Sequence, residues 1–123
     1  MIARLVLVAA VLAPLAVSAQ DFPARALRIV VPNPPGGGND FIGRLLADKL
    51  RDKWGQPAVV ENRAGASGSI GADVVAKAAP DGYTLLVTPP ASLTLNRHLF
   101  AKLAYDPDAF APVSLVAASP GAL

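Results

Sequence analysis

The sequence alternates strand-like and helix-like segments, and this alternation limits the possible folds more than any other feature. Four runs rich in β-branched and aliphatic residues predict strands, at positions 27–31, 58–60, 83–88 and 112–117. The segments between them predict helices, at positions 41–54, 70–79 and 93–99. Strands that alternate with helices favour an α/β fold, in which a parallel sheet carries helices on its faces.

The first predicted helix has the clearest pattern. Apolar residues recur every three or four positions from Ile42 to Trp54, which indicates one buried face. We expect Asn39 or Asp40 to cap its N-terminus and Gly55 to end it.

The N-terminus has the pattern of a secretory signal peptide. A positive start that includes Arg4 precedes an uncharged apolar stretch, residues 5–17, and Val17-Ser18-Ala19 has the small residues of a signal-peptidase site. We therefore expect residues 1–19 to be a cleaved export signal. A membrane anchor is the alternative, and it is disfavoured because the apolar stretch is short for a bilayer.

Composition excludes several classes of function. The chain has no Cys and a single His, so it offers neither a disulfide framework nor a His/Cys metal cluster. Its net charge is +2 and its charged residues are scattered, whereas nucleic-acid binding needs clustered cations. We expect no metal, no other cofactor and no nucleic-acid partner.

A loop rich in Gly, Pro, Ser and Asn follows each of the first three predicted strands. We call these the first loop (32–40), the second loop (62–69) and the third loop (88–92). Parallel strands place their C-terminal ends at one edge of the sheet, where α/β proteins bind ligands. A glycine loop that leads into a helix also points unpaired N–H groups at an anion.

The loops fail the common templates for phosphate and for catalysis. Asn39-Asp40 follows Gly38 where a P-loop needs Lys and Ser or Thr, and Phe41 replaces the last glycine of a dinucleotide fingerprint. Ser69 breaks a nucleophile-elbow pattern, and His98 has no Cys with which to form a nucleophile–base pair. A small α/β enzyme is therefore disfavoured. A small carboxylate held by N–H groups fits the loops, and so do tight turns and helix caps without a ligand.

Four motifs, at 27–40, 59–71, 78–86 and 110–116, include Pro34-Pro35-Gly36-Gly37-Gly38-Asn39-Asp40 and Glu61-Asn62-Arg63-Ala64-Gly65. In this order they closely resemble the Bug-type, TctC-like extracytoplasmic solute receptors of tripartite tricarboxylate transporters. The resemblance implies the first lobe of a type II periplasmic-binding-protein fold. It also implies a periplasmic protein that captures a small carboxylate for membrane permease subunits. A sensor lobe for a signalling partner is the alternative.

The resemblance further implies which residues hold the carboxylate, partly through ordered water. The implied ligand-binding residues all lie in the three loops: Pro35, Gly36, Gly37, Gly38, Asp40, Gly68, Ser69, Thr88, Ala91 and Ser92. Family members continue into a second lobe. We therefore expect residues 20–123 to be the N-terminal part of lobe 1, truncated at the crossover to lobe 2.

Overall fold

A computed structural model describes residues 21–118, which form a three-stranded parallel sheet with flanking helices. The strands are β1 (Leu27–Val31), β2 (Ala58–Asn62) and β3 (Thr84–Leu86), in the order β2-β1-β3. The helices are α1 (Gly38–Trp54), α2 (Ser69–Ala76), α3 (Ala91–Thr94) and α4 (Asn96–Leu99), with 3₁₀ turns at Ala66–Gly68 and Pro107–Ala109. The α/β prediction is confirmed. The predicted signal peptide lies outside the described residues.

The central strand β1 forms the core of the sheet. Ile29 lies opposite Val60 of β2 on one side and Leu85 of β3 on the other. Ile29, Val30 and Val31 are fully buried, although their side chains alternate between the two faces. This explains the nearly continuous apolar sequence, because a parallel strand covered on both faces has no polar side.

Helices cover both faces because the two crossovers run in opposite directions along the sheet. The chain moves from β1 out to β2 and then back across β1 to β3, so right-handed crossovers place α1 and α2 on opposite faces. On the α1 face, Ala47 packs with Ile29 and Val31. Small residues let both helices lie close to the sheet, since Gly43, Gly71 and Ala72 are buried.

Several element boundaries differ from the prediction. The first helix starts three residues earlier than predicted, at Gly38, and ends at Gly55 as expected, with the Gly55 N–H donating to the Arg51 carbonyl at 2.8 Å. The second helix ends at Ala76, and the predicted helix 93–99 is two short helices that meet at Leu95. The third strand spans three residues of the predicted 83–88.

The predicted fourth strand, 112–117, is wrong for this structure. Residues 111–118 form neither strand nor helix, and Val113 and Leu115 are 85% and 81% exposed. A strand requires a neighbour that accepts and donates its backbone hydrogen bonds. Within the described residues no strand lies beside this segment, so its apolar sequence does not become a strand.

None of the helices between residues 21 and 118 has both the length and the apolar character needed to cross a bilayer.

We predict that Gly43→Ala destabilises the fold, although Ala is the better helix former by about 1 kcal/mol. A Cβ at this position would lie 2.7 Å from Cγ2 of Val31, which is fully buried in the core. We expect the free energy of unfolding to fall by about 1–3 kcal/mol, the usual cost of overpacking a core. Gly38→Ala in the same helix is the control, because a Cβ there meets no atom within 4 Å. Urea unfolding curves of equal midpoint for the two variants would refute this account.

Candidate functional site

The three loops meet at the edge of the sheet where the strands end. Val31 of β1 is in register with Asn62 of β2, and Val30 is in register with Leu86 of β3. A Cβ on Gly68 in the second loop would lie 3.3 Å from Ser92 Cβ and 3.5 Å from Pro32 Cβ. The second loop therefore packs against both the first and the third, and glycine at position 68 permits this approach.

Asp40 is the centre of the hydrogen-bond network of the first loop, and it is only 4% exposed. Its Oδ2 accepts hydrogen bonds from the Gly36 backbone N–H and from Arg44 Nε, each at 2.9 Å. Its Oδ1 accepts from Asn62 Nδ2 at 2.9 Å. One carboxylate thus joins the glycine turn, α1 and the end of β2.

This network corrects the predicted helix cap. Gly37 occupies the N-cap position of α1, which has no side-chain cap, and Asp40 lies within the first turn. Because the Asp40 carboxylate points back to the Gly36 N–H, it does not cap the helix. The first-turn N–H groups of α1 have no acceptor within the helix and remain available to a group outside it.

The environment of Asp40 strongly favours its ionised form. Hydrogen bonds from Arg44, the Gly36 N–H and Asn62 lower the pKa of Asp40 from its ordinary value of 3.8 to about 2. With both oxygens occupied, Asp40 orders the loop around it. A second carboxylate would be repelled by Asp40 and attracted by the N–H groups nearby.

Three asparagines complete the first loop, and sequence reasoning missed two of them, Asn33 and Asn62, as functional positions. Asn39 Nδ2 donates to Asn33 Oδ1 at 2.8 Å, and Asn62 Nδ2 donates to the Asn33 carbonyl at 3.1 Å. Sequence reasoning missed Arg44 as well, although its i,i+4 spacing from Asp40 is the usual spacing of a helical ion pair. Asn33 and Asn62 carried no such signal, because their contacts depend on the pairing of β1 with β2.

Only one of the three consecutive glycines is required by the backbone. Gly36 has φ +85°, a conformation that favours glycine, whereas Gly37 is extended. A Cβ on Gly38 would meet no atom within 4 Å, and one on Gly37 would meet only the Pro34 carbonyl, at 3.7 Å. Turn chemistry therefore explains Gly36 and leaves the open space over Gly37 and Gly38 unexplained.

The third loop directs its hydroxyl groups inward. Thr88 Oγ1 lies 2.6 Å from Ser92 Oγ, and the two oxygens lie 3.0 and 3.3 Å from the Pro89 carbonyl. Ser92 is almost fully buried. Each of the two hydroxyl groups therefore finds its acceptors within the loop, namely the oxygen of the other hydroxyl group and the Pro89 carbonyl. These hydrogen bonds stiffen the loop.

The remaining predicted site residues lie at the rim of the same edge. Pro35 is exposed in the first loop, Ala91 is half-buried at the start of α3, and Ser69 is half-buried as the first residue of α2. The only basic residue in the three loops, Arg63, pairs with Glu61 at the end of β2. The rim therefore offers N–H and hydroxyl donors, while its nearby guanidinium groups are paired within the chain.

A shallow depression of about 270 Å³ lies beside this rim. Its walls come from α2 and from the segment after α4, and they include Ser69, Asp73, Phe100 and Lys102. Neither the first nor the third loop contributes to it.

In residues 21–118 no three His, Cys, Asp or Glu side chains are grouped as a metal site would require.

Comparison with known protein families identifies the family of this chain. The family model described as the tripartite tricarboxylate transporter family receptor, TctC, matches residues 42–123. The chain belongs to this TctC receptor family. The resemblance noted from the sequence motifs is thereby confirmed.

Individual TctC relatives agree with this assignment. BugT of Bordetella pertussis is 48% identical over 102 residues, which are 81% of this chain and 31% of BugT. A UPF0065 protein from the tcbD-tcbE intergenic region of Pseudomonas sp. strain P51 is 44% identical over 103 residues, which are 83% of this chain and 30% of that protein. The chain spans about a third of the length of these curated relatives.

Solved structures give the same fold. MatC from Rhodopseudomonas palustris with bound malate matches with a TM-score of 0.72 and 44% identity, over 77% of this chain and 33% of MatC. Rpa4515 of R. palustris with adipate matches with a TM-score of 0.68 and 41% identity, over 72% of this chain and 29% of that protein. The described residues thus have the architecture of a segment of these periplasmic binding proteins.

The lowered pKa of Asp40 predicts an acid-sensitive fold. Because the pKa is lower in the folded chain than in the unfolded one, the Asp40 carboxylate stabilises the fold above about pH 4. That contribution is lost as the pH falls through about 2. Urea unfolding between pH 5 and pH 2 measures how steeply the free energy of unfolding falls with pH. We expect this slope to be smaller in Asp40→Asn than in wild type, by an amount equivalent to the binding of up to about one proton on unfolding. Asp52→Asn, an exposed position on the same helix, is the control and should keep the wild-type slope. Equal slopes for wild type and Asp40→Asn would contradict the assigned network.

Proposed function

We propose that this chain is part of a periplasmic receptor that binds a small carboxylate, with the three loops as one wall of the binding site. The observation that carries the proposal is the open rim over Gly37 and Gly38, from which α1 begins without a side-chain cap. The proposal is one of binding without chemical conversion, in keeping with the receptor family.

The charge at the rim favours an anion of modest size. The N-terminus of the 17-residue α1 carries a partial positive charge, equivalent to roughly half an elementary charge. Backbone N–H groups and the dipole together form a site for a carboxylate or a phosphate. The absence of the P-loop residues in the sequence disfavours phosphate, and two solved relatives hold dicarboxylates, malate and adipate.

The ten residues singled out from the sequence have distinct parts in this proposal. Pro35, Gly36, Gly37 and Gly38 form the surface that the carboxylate approaches, and Asp40 holds that surface in shape. Gly68 and Ser69 form the second side, and Ser69 is the donor there. Thr88, Ala91 and Ser92 support the third side, because the two hydroxyl groups are bonded within their loop.

The setting of the proposed receptor follows from the family and from the N-terminus. The family receptor serves a tripartite transporter, so the proposed partners are the membrane permease subunits of such a system. The signal-like residues 1–19 would direct the chain to the periplasm. Because relatives are about three times longer, we propose that a second lobe closes over this wall.

A thermal-shift titration with malate and adipate tests this function. It should be run on this chain and on a form extended to the length of its relatives. A ligand that binds only the folded protein stabilises it by about 2.7 kcal/mol at a concentration of 100 times its Kd. We therefore expect Tm of the extended form to rise progressively with the concentration of one of these acids. Malamide, the uncharged diamide of malate, is the control and should give no shift. The function is wrong if no small carboxylate shifts Tm of the extended protein.

Replacement of Asp40 tests the assignment of the first loop. Asp40→Ala removes the acceptor for the Gly36 N–H and for Asn62, so the glycine turn loses its hold on α1 and β2. We expect the fold to remain and Kd for the acid found by thermal shift to rise about tenfold, which corresponds to about 1.4 kcal/mol. Calorimetric titration measures this change. Asp52→Ala, on the exposed face of the same helix, is the control with unchanged Kd. An unaltered Kd in Asp40→Ala would remove the first loop from the site.

A further inference from the structure

Asn96 lies beneath the second loop and is completely buried. It is the first residue of α4, and its Nδ2 donates to the Ser67 carbonyl at 3.0 Å and to Ser69 Oγ at 2.9 Å. Its Oδ1 is also buried and accepts a hydrogen bond from no group within residues 21–118. A buried acceptor left unpaired costs about 1–3 kcal/mol, so stability alone is a poor reason for an asparagine here.

The second loop has a backbone that needs external support. Ala66 and Ser67 have φ of +47° and +53°, in the left-handed region that non-glycine residues seldom adopt. Such residues persist where the surrounding structure holds them, and they cluster at ligand clamps. Asn96 supplies that support, because its amide binds the carbonyl of the second left-handed residue.

The same amide determines which way the Ser69 hydroxyl can donate. Ser69 Oγ accepts from Asn96, so its own hydrogen must go to another acceptor. Tyr105 donates its hydroxyl hydrogen to the Ser92 carbonyl, and its oxygen lies 3.5 Å from Ser69 Oγ, at the outer limit of a hydrogen bond. Ser69 thus keeps a hydrogen without a strong internal acceptor, unlike Thr88 and Ser92.

We propose that Asn96 is a positioning residue, which holds the left-handed turn of the second loop and directs the Ser69 hydroxyl hydrogen to the carboxylate of the ligand. The inference deepens the proposed function and rests on it. It assigns Asn96 no contact with the ligand; the residue acts through Ser67 and Ser69.

Asn96→Asp provides the sharpest test because its effect depends on pH. An ionised Asp has no hydrogen to donate to Ser67 or Ser69, whereas a protonated Asp has one. Burial raises the pKa of a carboxyl group, so the side chain regains a donor as the pH falls toward 5. Tyr105, Asp73 and Lys102 lie near Ser69, and Arg97 and His98 follow Asn96 on α4; the wild-type chain at each pH accounts for the effects of these titratable or charged groups.

Two measurements on the full chain follow from this design. Amide hydrogen exchange compares residues 66–70 with α1, and calorimetric titration measures Kd for malate. At pH 8 we expect Asn96→Asp to speed exchange at 66–70 about tenfold while α1 is unchanged, and to raise Kd about tenfold relative to wild type. At pH 5 we expect the exchange rate and the Kd of Asn96→Asp to differ less from the wild-type values. Val30→Ala, which removes buried atoms from β1, is the matched control for a general loss of stability.

The outcomes separate this inference from the proposed function. The role of Asn96 is overturned if Asn96→Asp leaves the exchange rate at 66–70 unchanged. It is also overturned if the variant speeds exchange equally in α1, as a general loss of stability in Val30→Ala would. If neither malate nor adipate shifts Tm of the extended protein, the proposed function fails together with the ligand part of the inference, while hydrogen exchange in this chain still decides the loop part. If Asn96→Asp does not fold, Ser69→Ala decides: a higher Kd with unchanged exchange at 66–70 supports the donor role, and an unchanged Kd overturns it.

Discussion

The parallel pairing of β1 with both of its neighbours is the constraint on which the rest of the structure depends. It buries a continuous apolar strand between two helical layers, and it brings the C-terminal ends of all three strands to one edge. Loops that are far apart in the sequence therefore become adjacent. Small residues at Gly43, Gly68 and Gly71 then allow helix, sheet and loops to approach more closely than a side chain would permit.

At that edge, the Asp40 carboxylate orders the first loop at the expense of capping α1. Asp40 could have capped α1, and it binds the Gly36 N–H, Arg44 and Asn62 instead. The helix start loses a stabilising cap of about 1 kcal/mol. In return the glycine turn is fixed to β2, and the first N–H groups of α1 remain directed at the open rim. This arrangement is compatible with the proposed carboxylate site.

Much of the fold could be predicted from the sequence because its signals are local. The spacing of apolar residues from Ile42 to Trp54 reports a helix on a sheet, and Gly55 marks its end. The errors arose where local signals compete with tertiary context. The apolar run 112–117 satisfies strand propensity but has no neighbouring strand among the described residues. The capping prediction failed because the Asp40 carboxylate binds the Gly36 N–H, the Arg44 side chain and Asn62 rather than the first-turn N–H groups of its own helix.

The sequence by itself determined the α/β class, the three loops and the membership of the TctC receptor family, since these follow from periodicity, glycine placement and ordered motifs. Only the tertiary structure decided how the loops are held. Asn62 meets Asp40 across 22 positions, and Asn96 meets Ser67 across 29. No local pattern marks such pairs, because each amide finds its acceptor only after the sheet has aligned the strands. The physical reason is that a hydrogen bond is specified by position in space, whereas propensity and periodicity are specified along the chain.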